Sequence, residues 1–461
     1  MQGYSLKDLE AWDERIKEKA LEFGLSHFPQ EFEICDQHQM LGYMAYTGMP
    51  SHYPHWSFGK AFERRKTLYD YGVIGLPYEM VINSNPSLAY LMSDNSLLLQ
   101  ILTIAHVYGH NDFFKNNLIF RYSHPEYTLE MFKAHSSRIR AYAEDPSIGL
   151  EKVEKILDAA HAISYQCNRH LDVKRKTHEE VKQRLMNDYQ KGCREARERS
   201  ASEPPPPDLY KFPLEPEDDI LIFIRDNNPY LLDWQRDVLT VVADEACYFL
   251  PQIETKMLNE GWASYWHYHI LNSLYLPQDL GIEFAIRHNQ VLRPVSGELN
   301  PYHMGFSIFA DIEKRLGRDK IFQVRETDRD VSFLRQYLTE ELMREMSLFS
   351  HEQQGEDRVV SHVSDEEEWK VVRDDLLKST GLASIPVIRI LDANHRGQQT
   401  LHLWHEQDGR DLEISYAQQT VRHVYDLWGK PVVLESSLEG KPVFLICDGS
   451  GSNKFTRRLI G

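Results

Sequence analysis

Apolar residues recur along most of this chain with a helical period. Leu6, Leu9, Trp12, Ile16, Ala20 and Phe23 fall three or four positions apart, which predicts an amphipathic helix over 6–23. Ser93-Asp94-Asn95-Ser96 offers capping side chains directly before the apolar run Leu97 to Ala105, marking another helix start. Helical patterning continues to about Arg199 and resumes from Leu231 to Leu276. Within the second block, Pro251 predicts a kink or a fresh start, because proline lacks the N–H and crowds the preceding turn. Between the blocks runs Ser200-Ala201-Ser202-Glu203-Pro204-Pro205-Pro206-Pro207-Asp208, whose four prolines favour an extended, exposed connection.

Two stretches depart from this period. Tyr43 to Pro86 is rich in Gly, Pro, Tyr and His, as in Gly48-Met49-Pro50-Ser51-His52-Tyr53-Pro54-His55-Trp56. It predicts turns and short strands, with a strand from Tyr78 to Asn83. From about Ile385 the texture turns to β. Val387 to Leu391, His402 to Trp404, Pro431 to Glu435 and Val443 to Ile446 are strand candidates, and Thr420 to Leu427 is one short helix. The expected architecture is mainly α: a large helical domain over 1–375, with its Pro-rich connection near 199–216, then a small C-terminal α+β module over 376–461. There is no internal repeat and no glycine-rich phosphate loop.

Composition narrows the partners. A chain of 461 residues exceeds what one core usually supports, which agrees with two domains. Its net charge of -18 repels phosphate backbones and weighs against nucleic acid. The run Lys174-Arg175-Lys176 reads most simply as a solvated helix face. Five scattered cysteines without a C-x-x-C pair suit a reducing compartment and offer no Cys-based zinc site. Met1 to Glu10 lacks the apolar core of a signal peptide, and no apolar stretch reaches the roughly 20 residues of a membrane span. A cytoplasmic protein without a membrane span is expected.

Candidate chemistry sits in the two helical blocks. His106 and His110 are four apart, so on a helix they share a face and can grip one ion. The pattern is close to H-E-x-x-H, but Val107 stands where that motif carries its general base. In the second block Glu260, Ser264 and His267 fall on one face, with Glu254 about a third of a turn away. Two His and one Glu with an open position form a zincin-like helix pair able to bind catalytic zinc. Two plainer readings stand beside it: two polar groups on a partly exposed helix, and an ordinary buried Glu–His hydrogen bond. A third string, Asn300-Pro301-Tyr302-His303, places His303 just after a turn, where it either faces a cleft or caps the following helix. His55, Lys60, Asn111 and His303 are the candidate substrate contacts. For the aromatic segment around His55, packing by Tyr53, Trp56 and Phe58 is the simpler alternative.

Taken together, Tyr53-Pro54-His55-Trp56-Ser57-Phe58-Gly59-Lys60, Gly109-His110-Asn111-Asp112-Phe113-Phe114-Lys115-Asn116-Asn117, Leu258-Asn259-Glu260-Gly261-Trp262-Ala263-Ser264 and Asn300-Pro301-Tyr302-His303 resemble the stage V sporulation protein R (SpoVR) family. The resemblance runs over nearly the whole chain. It implies a cytoplasmic role in spore cortex formation. It also implies partners, since relatives outside spore formers accompany a PrkA-like serine kinase and a von Willebrand A-like protein. It brings no assigned reaction.

Three functions compete. In a zinc-dependent hydrolase, His106, His110 and Glu260 hold the metal, and Glu245 or His267 activates water or shuttles protons. The family's link to the cortex suggests an amide bond in a cell-wall precursor. In a non-haem iron protein the same ligands hold Fe2+. In a non-catalytic assembly or regulatory factor the helical cleft binds a partner such as the kinase. A C-terminal module with no polar cluster of its own favours that third reading.

Overall fold

The computed structural model describes residues 4–71, 78–169, 176–294, 299–348, 351–354, 357–360, 368–395, 397–449 and 454–457. Lys174 and Arg175 of the basic run lie outside the described residues. The chain opens with helix α1 (Leu6–Glu22), started by a capping box in which Ser5 and Asp8 satisfy each other's backbone N–H. Strand β1 (Gln30–Cys35), helices α2 (Gln37–Ala45) and α3 (Trp56–Asp70), and strands β2 (Glu79–Ile82) and β3 (Ser87–Met92) follow. Next come α4 (Leu97–Asn116), α5 (Thr128–Glu144), α6 (Leu150–Ala162), α7 (His178–Glu198), α8 (Ile220–Asn227) and α9 (Asp233–Glu254). Helices α10 (Lys256–Ser273), α11 (Gln278–Val291), α12 (Pro301–Leu316), α13 (Arg318–Thr327), α14 (Asp330–Tyr337) and α15 (Glu340–Glu345) lead to the antiparallel pair β4 (His351–Gln354) and β5 (Asp357–Val360). The chain ends with α16 (Glu368–Lys378), β6 (Val387–His395), β7 (Thr400–Glu406), α17 (Ile414–Trp428), β8 (Val432–Leu438), β9 (Lys441–Cys447) and β10 (Lys454–Arg457).

Two compact units emerge, and each is discontinuous in sequence. The first comprises Met1–Arg140 with Cys247–Ser384, and the second Ala141–Ala246 with Ile385–Gly461. In the second unit, the sheet runs β10-β9-β8-β7-β6, antiparallel except for the parallel pair β7 and β8 that α17 connects. Glu439 and Gly440 link β8 to β9 with φ of 52° and 72°, the positive values that a two-residue hairpin needs.

The first unit is organised by α4, which is buried on every side from Leu98 to Phe114. A helix without a solvated face must satisfy its polar side chains internally. Asp112 does so by accepting from the Ser26 backbone at 2.7 Å and Trp262 Nε1 at 2.9 Å, and by pairing with Arg325 at 3.3 Å. Asn111 accepts from the Phe28 N–H at 2.8 Å and donates to the Phe28 carbonyl and Gln30. These bonds fix the segment entering β1, which pairs parallel with β3, while β2 pairs antiparallel on the other side of β3.

Helix α10 packs between α4 and α12 at glycine contacts. A Cβ on Gly109 would stand 2.6 Å from Ala263 Cα, and one on Gly261 would overlap the backbone of Gly305. Backbones this close exclude any side chain at those positions.

Most of the expected elements are present, and the differences have physical causes. Pro251 sits inside α9, and the new helix begins at Lys256, after Thr255. The segment expected to hold turns and strands contains α3 instead. That helix buries none of its residues, so it lacks the apolar stripe that would have announced it against the Gly- and Pro-rich string before it. No described helix is long and apolar enough to cross a membrane.

The glycine contacts predict a contrast. Gly261→Ala should destabilise the protein by at least the ~1–3 kcal/mol typical of overpacking, because the obstacle is backbone. Gly281→Ala, in α11 with open space around it, should be neutral or stabilise by up to ~1 kcal/mol through helix propensity. Urea denaturation midpoints measure both, and equal midpoints would refute the packing account.

Candidate metal centre

Three elements of the first unit converge on one cluster. His106 and His110 come from consecutive turns of α4, Glu260 from α10, and Glu79 from the start of β2. Glu260 Oε2 lies 3.5 Å from His106 Nε2 and 3.4 Å from His110 Nε2. Glu79 Oε1 is 3.9 Å from His106 Nε2, and one ligating atom each of Glu79, His106 and His110 falls within 4.8 Å of the others. The imidazoles are buried, whereas the Glu79 and Glu260 side chains keep 16% and 21% of their surface exposed. The facing atoms themselves, His106 Nε2 and Glu260 Oε2, are buried.

The backs of both imidazoles are held. His110 Nδ1 donates to Asn259 Oδ1 at 2.9 Å, so its Nε2 is the nitrogen that faces the carboxylates. His106 Nδ1 shares a hydrogen bond of 2.9 Å with His267 Nδ1, and His267 Nε2 shares one of 2.8 Å with His288 Nδ1. Outer partners of this kind orient metal-binding imidazoles. On the facing side, His106 Nε2 and Glu260 Oε2 are buried and make no regular hydrogen bond; they meet each other at 3.5 Å, and Glu260 Oε2 meets His110 Nε2 at 3.4 Å. Leaving a buried donor or acceptor unmatched costs about 1–3 kcal/mol, more when charged, and a shared cation removes that penalty for both at once. The donor set fits a borderline divalent ion.

Charge shapes the site further. Burial pushes the Glu260 carboxyl up, but the His110 charge and the contacts with both imidazoles outweigh it and hold Glu260 well below the carboxylate range. Burial works against charging His110, yet the facing Glu260 and Asn259 reverse this and raise it. For Glu79 burial prevails over the two imidazoles, and its carboxyl is raised. The Glu260 charge, then burial, drive the Tyr302 phenol well above its ordinary value. Burial, then the neighbouring imidazoles, keep His267 far below an ordinary histidine, and His288 falls to about 4 for the same reasons.

Comparison with known proteins gives the chain its relatives. The family model described as SpoVR like protein matches residues 3–385, and that described as SpoVR-like C-terminal domain matches residues 386–439. This chain belongs to the SpoVR family. A relative from Escherichia coli (strain K12), named uncharacterized protein YcgB, is 31% identical over 469 aligned residues, covering 92% of this chain and 91% of its own. No solved structure matches.

In this SpoVR chain the structure brings His106, His110 and Glu260 together, with His267 directly behind His106. The arrangement departs from a zincin, whose base lies between the two His on one helix: here Val107 occupies that place and the further carboxylate, Glu79, arrives from a strand. Glu245 is buried on α9, in the part of that helix that belongs to the second unit. His267 is bonded at both nitrogens to other histidines, so it stands behind His106 with neither ring nitrogen left to act as a base on water. The expected substrate contacts have structural partners of their own. Asn111 is spent on the segment entering β1, His55 caps α3 through Ser57, and Lys60 lies over the Trp56 ring. His303 starts α12 beside Tyr302, and its N–H bonds the capping Asn300; it is Tyr302 that reaches Glu260. Glu254 pairs with Arg329.

Sequence reasoning passed over Glu79, Asn259, His288 and Tyr302. The one available signal for Glu79 was a lone carboxylate heading an otherwise apolar strand, and Tyr302 adjoins the His303 that drew attention. The C-terminal unit does carry polar side chains on its sheet, contrary to expectation: His402 Nε2 meets Glu435 Oε2 at 3.1 Å, and its ring lies 4.7 Å from that of His395.

Asn259→Ala strips His110 of its acceptor and should lower stability by about 1–3 kcal/mol. The readout is a lower urea midpoint with an unchanged slope. An unmoved midpoint would show that this bond does not hold the imidazole.

Proposed function

We propose that this SpoVR protein is a metal-dependent hydrolase in which His106, His110 and Glu260 hold one divalent cation, zinc in the first instance, and Glu79 is the general base. What supports the reading is the convergence of the buried atoms His106 Nε2, His110 Nε2 and Glu260 Oε2, 3.4 to 3.5 Å from one another across the His–Glu contacts, where neither His106 Nε2 nor Glu260 Oε2 makes a regular hydrogen bond. A cation bound there would supply Lewis acidity, activating water near neutral pH and polarising a carbonyl.

The protein's own groups do the rest. Glu79 faces His106 Nε2 at 3.9 Å with its carboxyl raised by burial, which suits a base that takes a proton onto its carboxylate from attacking water and returns it to the leaving amine. Tyr302 keeps its phenolic proton at neutral pH and can donate a hydrogen bond where charge develops on the carbonyl oxygen. Glu79 thus takes the role that the sequence offered to Glu245 or His267. The family's tie to the spore cortex suggests the amide of a cytoplasmic cell-wall precursor as substrate.

A second reading draws on the same residues. Should Glu79 bind the cation itself, the donors become two imidazoles and two carboxylates, which suits Fe2+ in a non-haem iron protein.

Elemental analysis of the protein purified without chelators should find about one metal per chain, and His110→Ala should lose it. Glu79→Gln separates the two readings. A base variant retains the zinc and loses turnover, whereas a ligand variant loses the iron together with any dioxygen uptake. Metal-free wild-type protein that takes up neither ion would end both.

A further inference from the structure

His267 and His288 lie behind the cluster, 0% and 6% exposed, and take no part in the chemistry above. Each of the two N···N contacts that join them to the cluster holds one proton, donated by one imidazole and accepted by the other. In the chain His106 Nδ1···Nδ1 His267 Nε2···Nδ1 His288, the state of one ring therefore dictates the next. Two arrangements satisfy both bonds. In the first, His106 Nδ1–H donates to His267, His267 Nε2–H donates to His288, and His106 Nε2 presents a lone pair to the carboxylates. In the second, His288 Nδ1–H donates to His267 Nε2, His267 Nδ1–H donates to His106, and His106 Nε2 carries the proton.

Only the first lets His106 bind a cation. Without one, two carboxylates face His106 Nε2, at 3.5 and 3.9 Å, and favour the N–H of the second. Passing from second to first removes a proton from His106 Nε2, moves one from each inner nitrogen to its partner across the bond, and places one on His288 Nε2. The three rings keep three N–H groups throughout. Ring flips are not required, and the packing opposes them. The His288 ring lies 4.8 Å from Tyr268, 5.3 Å from Phe306 and 5.7 Å from Phe284, and stands at 88° to His267.

We infer that His267 and His288 are positioning residues that form, with His106, a two-state imidazole chain whose direction is set by occupancy of the cation site. The inference rests on the reading of the cluster as a cation site. A cation locks the chain toward His288 and so holds His106 in its ligating tautomer, and its removal lets the chain reverse.

Nitrogen-15 NMR of the histidine side chains in the full-length protein, metal-free and then zinc-loaded, tests this, with His267 assigned through His267→Gln. Zinc should move the His267 proton from Nδ1 to Nε2. In His288→Phe, zinc affinity should fall by about tenfold, the lower end of the ~10–100-fold seen for outer partners of metal ligands. His288→Gln should restore most of it, because an amide can donate or accept. The same His267 tautomer with and without bound zinc would overturn the chain, as would wild-type affinity in a folded His288→Phe. If His288→Phe does not fold, the spectra of the unaltered protein still decide. Wild-type protein that takes up no zinc would instead bring down the cation reading, and this inference with it.

Discussion

The cluster depends on how closely three helices approach. Where α4 meets α10, Gly109 lies against the backbone of Ala263, and where α10 meets α12, Gly261 lies against Gly305. His110 and Glu260 are the immediate neighbours of two of these glycines, and Tyr302 lies one turn before the third. Had the helices kept the usual 8–10 Å between axes, set by interdigitated side chains, the short imidazole and carboxylate side chains would have farther to reach. The glycines thus convert close backbones into close polar side chains. They do so in helices whose interiors are almost wholly buried, where a void or a bump is felt throughout the core.

Around that contact the first unit manages an unusual load of buried polarity. Asp112, locked by Ser26, Trp262 and Arg325, and Asp330, accepting from the Met257 and Leu258 N–H groups at 2.9 and 2.8 Å, are fully matched anchors. They fasten α4 and the start of α10. The His–Glu cluster differs because its imidazoles are hydrogen-bonded on their outer side while His106 Nε2 and Glu260 Oε2 make no regular hydrogen bond at the centre. That asymmetry between a satisfied shell and an unsatisfied centre separates a site from a structural network, and it could not be read from residue types alone.

The sequence showed a good deal of this, unevenly. The i, i+4 spacing put His106 and His110 on one face because helical geometry is local, and Glu260 stood out as a carboxylate in a crowded aromatic helix. Both inferences needed only one element each. Glu79 needed a strand, its pairing and its approach to α4, none of which leaves a periodic trace. His288 sits on α11 among ordinary polar residues, and only the packing of α11 against α10 joins it to His267. The aromatic segment misled in the other direction: its Gly and Pro residues signalled turns, while α3 formed beyond them without burying a side chain.

The interleaving of the two units bears on how the molecule is made. Residues 141–246 are synthesised in the middle of the first unit, and their own companions, 385–461, arrive last. On the ribosome, Glu79, His106 and His110 therefore emerge early and wait for Glu260 through the synthesis of an entire foreign segment, while α6 waits still longer for α17. The C-terminal sheet is consequently no detachable tail. A chain stopped before it would leave the second unit half built, so a truncation there reports on biogenesis as much as on what the sheet itself does.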